Sequence, residues 1–157
     1  MKSRMTKAAG LMALVLSLVF FVQSTSSQSA NNCLSVVGRF SDVTSGGSTT
    51  GTVVNGGILN GTSETVFTPG FIFTADPTTI SLTGDYTLTT NRGAVKTHNV
   101  YIFDFANRLG SAIYRIDPSQ STGIFAGASG ALYANGKAVD PVTVEGDIRG
   151  EICFASQ

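Results

Sequence analysis

Five residues in the middle of the sequence have the chemistry to hold and polarise a small molecule: Asp85, Asn99, Tyr101, Arg115 and Asp117. An acid, a cation, an amide and a phenol on one surface would orient and polarise a bound carbonyl. Two hairpins decide whether they meet. A one-glycine-bulge hairpin at residues 91–93 sets Asp85 opposite Asn99. A five-residue connection at residues 106–110 then sets Tyr101 opposite Arg115 and Asn99 opposite Asp117. A slip of one residue in either hairpin scatters the set over two faces. The plainer alternative is an exposed patch of cross-strand ion pairs worth under about 1 kcal/mol, with Arg115 on an outer wall.

Other candidates have weaker claims. His98 is the only histidine, flanked by Thr97 and Asn99 with no acid beside it in sequence, so a solvated strand position is expected. Glu64 sits among Thr and Ser and is read as facing solvent, with a lumen carboxylate as the alternative. Asp147, Arg149 and Glu151 alternate on one strand face, as a surface ion-pair ladder does. Asn60-Gly61-Thr62 is a formal glycosylation acceptor in a host that glycosylates exported proteins. There is no Ser-His-Asp pattern, no metal-ligand spacing and no phosphate loop, so neither a metal nor a cofactor is expected.

The elements that must position these residues are strands. Only 13% of the 157 residues are charged, against roughly 25% in an average domain. The 18 glycines, the frequent Ser and Thr, and the absence of Trp suit short strands joined by polar turns. The cleanest strand is residues 79–90, with Ile80, Leu82, Gly84, Tyr86 and Leu88 on one face. Residues 94–105 return from the turn at 91–93, and residues 100–105 are apolar on both faces except for Asp104. A strand like that is covered twice, by a core on one side and by another layer or a partner chain on the other. Residues 111–117, 129–138 and 142–154 follow. In the last, Val144, Gly146, Ile148, Gly150 and Ile152 share a face. Residues 34–40 form a first strand, residues 41–50 a Gly/Ser/Thr loop, and residues 52–67 a loose alternation broken by Asn55-Gly56-Gly57.

Residues 122–136 are the organising stretch. Gly123, Gly127 and Gly130 stand among small residues with Phe125 as the large plug, which reads as a tight turn feeding a strand. Seven or eight antiparallel strands with no helical periodicity argue for an all-β chain. A small closed antiparallel barrel of about eight strands is favoured, because glycines fall on the apolar faces where a sheet curves; a β-sandwich is the alternative.

Residues 1–29 read as a secretory signal peptide: Lys2, Arg4 and Lys7, then an apolar run over 8–22, then small polar residues with cutting sites after Ser27 or Ser29. The domain is then residues 30–157, and export places it outside the cell or in a periplasm. Without Lys2, Arg4 and Lys7, seven basic residues remain against ten acidic ones, about −3 in net charge. No basic stripe invites nucleic acid, and no membrane association is expected after cleavage. In an oxidising compartment Cys33 and Cys153 are expected to pair, with two buried free thiols as the alternative. The bond would close a loop of about 120 residues and stabilise by about 4–5 kcal/mol in the chain-entropy account.

The run from Ser81 to Phe154 carries a Thr-Gly-Asp hairpin over residues 82–93, the segment Thr-Gly-Ile-Phe-Ala-Gly-Ala-Ser-Gly-Ala-Leu and a closing Gly-Glu-Ile-Cys-Phe. In these it resembles small secreted bacterial proteins with an allene oxide cyclase barrel-like domain, relatives of plant dirigent proteins and the wider calycin-like barrels. The resemblance implies an eight-stranded antiparallel barrel with a ligand cavity in its mouth, oligomeric in many plant members. Those relatives steer ring closure or radical coupling of a bound substrate without a cofactor. Their catalytic positions do not align with motifs in this chain.

Two functions remain. One is an exported barrel that binds a small apolar or amphipathic ligand or serves as an interaction module, with a homo-oligomer as the expected assembly. The other is a cofactor-free cyclase or isomerase. A deep cavity with convergent polar groups would favour the second, and a lumen filled by side chains the first. No other polar group in the sequence has a claim to the interior equal to that of Arg115, so Arg115 on the outer wall would remove the cyclase reading.

Overall fold

Period-two alternation shapes most of the chain into strands that bury one face. The computed structural model describes residues 32–70 and 72–155. The leader expected at residues 1–29 lies outside them. Nine strands follow in order: β1 (Asn32–Ser45), β2 (Ser48–Val54), β3 (Gly61–Phe67), β4 (Ile72–Phe73), β5 (Thr79–Thr90), β6 (Gly93–Asp104), β7 (Leu109–Ile116), β8 (Ser129–Ala138) and β9 (Thr143–Phe154). Two 3-10 turns, Gly57–Leu59 and Gly123–Phe125, interrupt them.

All pairings are antiparallel. β1 joins β9, and β3 joins β5, so eight strands close into a barrel without a free edge. The short β4 lies beyond the end of β3, beside Ile80 and Ser81 of β5. The barrel expected from sequence is therefore present, and the sandwich is not. Among the described residues no helix is long and apolar enough to cross a membrane.

Both hairpins that decide the central patch differ from expectation. β5 and β6 pair Thr90 with Gly93 across a two-residue turn, which sets Asp85 opposite His98 rather than Asn99. Gly93 serves a different purpose from the expected bulge. A Cβ there would overlap the Thr122 carbonyl, and a Cβ at Gly123 would overlap that of Arg92, so two glycines let the turn and the 3-10 segment meet backbone to backbone. The β6–β7 turn is also shorter than expected, pairing Asp104 with Leu109. The Asp104 carboxylate accepts hydrogen bonds from the Ala106 and Asn107 amides at 2.9 and 3.1 Å, tightening the turn, and Arg108 takes a left-handed φ of 60°. Tyr101 consequently faces Ala112, and Asn99 faces Tyr114.

The stretch expected as a loop at 41–50 is mostly strand. β1 continues to Ser45, and β2 starts at Ser48 after a Gly46-Gly47 turn. Residues 39–43 are paired on both sides, to β2 and to β9, so the ladder fixes them as strand despite their polar composition. That extension turns Asp42 into the barrel.

The interior is unequal from end to end. At one end Leu59, Leu88, Val95, Leu132 and Ile152 pack around Phe125, all with 0% exposure. Phe125 is therefore the plug that its glycine-rich setting suggests, and its ring lies 6.3 Å from that of Phe154. Gly130, at φ 132°, leaves no room for a Cβ against the Glu151 carbonyl. Gly127 is held by its φ of 72° rather than by space, since a Cβ there would meet only Ala155. The Cys33–Cys153 disulfide joins β1 to β9 at this same end.

Candidate functional site

The open end of the barrel holds a cavity of about 230 Å³. Ligand clefts start near roughly 300 Å³, so this is room for a small molecule. Its wall is apolar and largely aromatic. Phe40 comes from β1, Phe67 from β3, Ile80 and Leu82 from β5, Tyr101 and Phe103 from β6, and Tyr114 from β7. The Tyr101 and Phe103 rings stack with centroids 6.2 Å apart, and Phe105 at the rim meets Phe103 edge-on at 5.0 Å. Gly110 makes this possible, because a Cβ there would overlap the Tyr101 phenol.

Polar groups reach the cavity at its inner part. Asp42 is 8% exposed, and its Oδ1 accepts a hydrogen bond from the Ser63 hydroxyl at 2.7 Å. That hydrogen bond links β1 to β3. Gly51 of β2 leaves the space that the Asp42 carboxylate fills. Asn99 is 4% exposed, and its Oδ1 has no hydrogen-bond partner. Thr97, one step deeper on β6, has an unpartnered hydroxyl too. A buried acceptor without a donor costs about 1–3 kcal/mol, which a ligand donor would offset.

Burial pushes the Asp42 carboxyl above its ordinary value, and the Ser63 hydrogen bond only partly opposes the shift. Burial and the Asp42 charge push the Tyr101 phenol up to about 12, and the same causes push Tyr114 up further. All three tyrosines near the carboxylate, Tyr86 included, are neutral hydrogen-bonding groups at physiological pH.

The five residues singled out from sequence are divided. Asn99 and Tyr101 line the cavity. Asp85 and Arg115 are exposed on the outer wall, where Arg115 lies opposite His98 and lines a shallow groove with it. Asp117 follows β7, where its carboxylate accepts from Ser119 and Gln120 and so shapes the loop toward the plug. The expected cluster is thus one inner pair and an outer group. His98 is the solvated strand residue expected, and acids distant in sequence lie beside it: its Nδ1 lies 2.6 Å from Asp85 Oδ1 and its Nε2 3.5 Å from Asp117 Oδ2. With the ring 65% exposed, these are surface interactions of small energy. Glu64 faces solvent, and Asp147, Arg149 and Glu151 share the outer face of β9.

Asp42 was the group that sequence reasoning missed. The signal was present in the alternation Val36, Gly38, Phe40, Asp42, which places the acid on the apolar face once the strand is allowed to continue. Comparison with protein-family models, with curated proteins and with solved structures found no match to this chain.

Proposed function

We propose that this chain is an exported barrel that binds a small amphipathic molecule in its open mouth. The observation that carries the reading is the aromatic-walled cavity whose inner part presents Asp42 and a donorless Asn99 oxygen. Such a surface matches a ligand with an apolar body and one polar head. The disulfide supports export, since such bonds persist in oxidising compartments. An outward row of Val100, Ile113 and Tyr133, each 46% exposed, supports self-association of the barrel. Kinship with the allene oxide cyclase barrel-like proteins is part of the same proposal, supported by eight-stranded antiparallel closure.

The cyclase reading rested on Arg115 in the lumen. With Arg115 on the outer wall, that reading is withdrawn. Calorimetric titration of the mature protein with 1-hexanol tests the binding function. Saturable binding, lost in Ala138→Phe with the circular dichroism unchanged, is the expected result, because Ala138 lines the cavity. Unchanged binding in that variant would place the site elsewhere.

A further inference from the structure

The charges of this barrel are sorted by face. Arg39, Lys96, Arg115, Lys137 and Arg149 stand on the outer wall, and Arg92 and Arg108 in turns, so among the described residues no Lys or Arg faces the lumen. The lumen does hold a carboxylate, Asp42. The same cavity is lined by aromatic rings from four strands, Phe40, Phe67, Tyr101, Phe103 and Tyr114. The negative face of such a ring attracts a cation, most strongly where water is excluded. Two acceptors there are open to a further donor: the Asp42 carboxylate receives the Ser63 hydroxyl at Oδ1, and Asn99 Oδ1 receives nothing.

From this we infer that the ligand is an organic cation, an alkyl- or arylammonium whose charged head sits at Asp42 and Asn99 and whose apolar body lies among the rings of the mouth. This rests on the binding function proposed above and specifies its ligand class. An ammonium group brings up to three donors for Asp42 and Asn99 Oδ1, and a positive charge to a place where no described side-chain cation stands. A carboxylate head would bring a second negative charge into the same low-dielectric space with no side-chain cation to meet it. A neutral alcohol should fall between the two.

The test is a titration of the disulfide-bonded mature chain with hexylammonium, 1-hexanol and hexanoate at pH 7.5. Hexylammonium should bind about tenfold or more tightly than 1-hexanol, and hexanoate more weakly than either. In Asp42→Asn the ratio of amine to alcohol affinity should fall to near one. A second arm needs no variant: lowering the pH of the wild-type protein through the carboxylate range should erase the same ratio. The titratable groups facing Asp42 are Tyr86 on β5, Tyr101 on β6 and Tyr114 on β7, all neutral throughout that range, while β2, β3 and β9 present Gly51, Ser63 and Val144. The amine stays charged, so the acid effect reads the carboxylate. An amine that binds no more tightly than the alcohol, or a ratio untouched by both Asp42→Asn and acid, overturns the cation assignment and leaves the binding function standing. If neither amine nor alcohol binds, both fall.

Discussion

The two ends of this barrel are built from the same eight strands and do opposite things with them. The plugged end spends its glycines on bringing backbones together, fills the interior with Phe125 and aliphatic side chains, and closes β1 onto β9 with a disulfide. The mouth uses Gly51 and Gly110 to make room for Asp42 and for the Tyr101 ring, and leaves a cavity of about 230 Å³. Gly51 and Gly110 thus leave room for side chains, whereas Gly93, Gly123 and Gly130 let backbones meet. Fully buried aliphatic side chains gather around Phe125 at one end, and the buried polar groups Asp42 and Asn99 line the cavity at the other.

Breaking the plugged end should produce the largest effects. Replacing Cys33 and Cys153 together with Ala should cost about 4–5 kcal/mol in the chain-entropy account. Phe125→Ala should cost about 3–5 kcal/mol, because the ring is fully buried among well-packed neighbours. Urea unfolding measures both, and a loss below about 1 kcal/mol for Phe125→Ala would mean that the plug does not hold that end. At the mouth, Phe105→Ala should cost less than about 1 kcal/mol, since its ring is 55% exposed.

Two carboxylates sharpen the contrast through pH. Asp117, in the loop leading to the plug, is held down to about 2, first by the Ser119 hydroxyl and then by the Ser119 amide. Its stabilisation is present above the ordinary 3.8 and is lost as pH falls from there toward about 2. Asp42 at the mouth has the opposite sign. Its carboxyl is raised by burial, so the folded state holds its proton longer than the unfolded chain does. Its contribution is fully present below 3.8 and is lost as pH rises through the raised value. Asp42→Asn should therefore unfold at no lower urea concentration than wild type near neutrality, with that advantage shrinking in acid. Asp117→Asn should be less stable than wild type near neutrality, with the deficit closing below about 3.8. Equal pH profiles for the two variants would contradict the distinction between the ends.

The plugged end was the more legible in sequence, and the reason is physical. Phe125 among glycines, paired terminal cysteines and the clean alternation of β5 and β9 each state one local constraint, and local constraints survive in a linear reading. The mouth depends on pairings between distant segments. Asp42 looks like part of a polar loop until β2 and β9 are both placed beside it. The patch at Asp85, Asn99, Tyr101, Arg115 and Asp117 depended on two turn lengths, and the Asp104 turn together with the glycine contact at Gly93 set both differently. Side chains alternate across a strand, so those turns moved Arg115 outside and left Asn99 and Tyr101 within.

Amide chemical-shift mapping of the isotope-labelled mature protein with 1-hexanol tests the division between the ends most directly. Saturable shifts should gather at Asn99, Tyr101, Ala138 and Val144, with Val95, Phe125 and Leu132 unmoved. Shifts centred on the plugged end, or on the outer wall around His98 and Arg115, would contradict it.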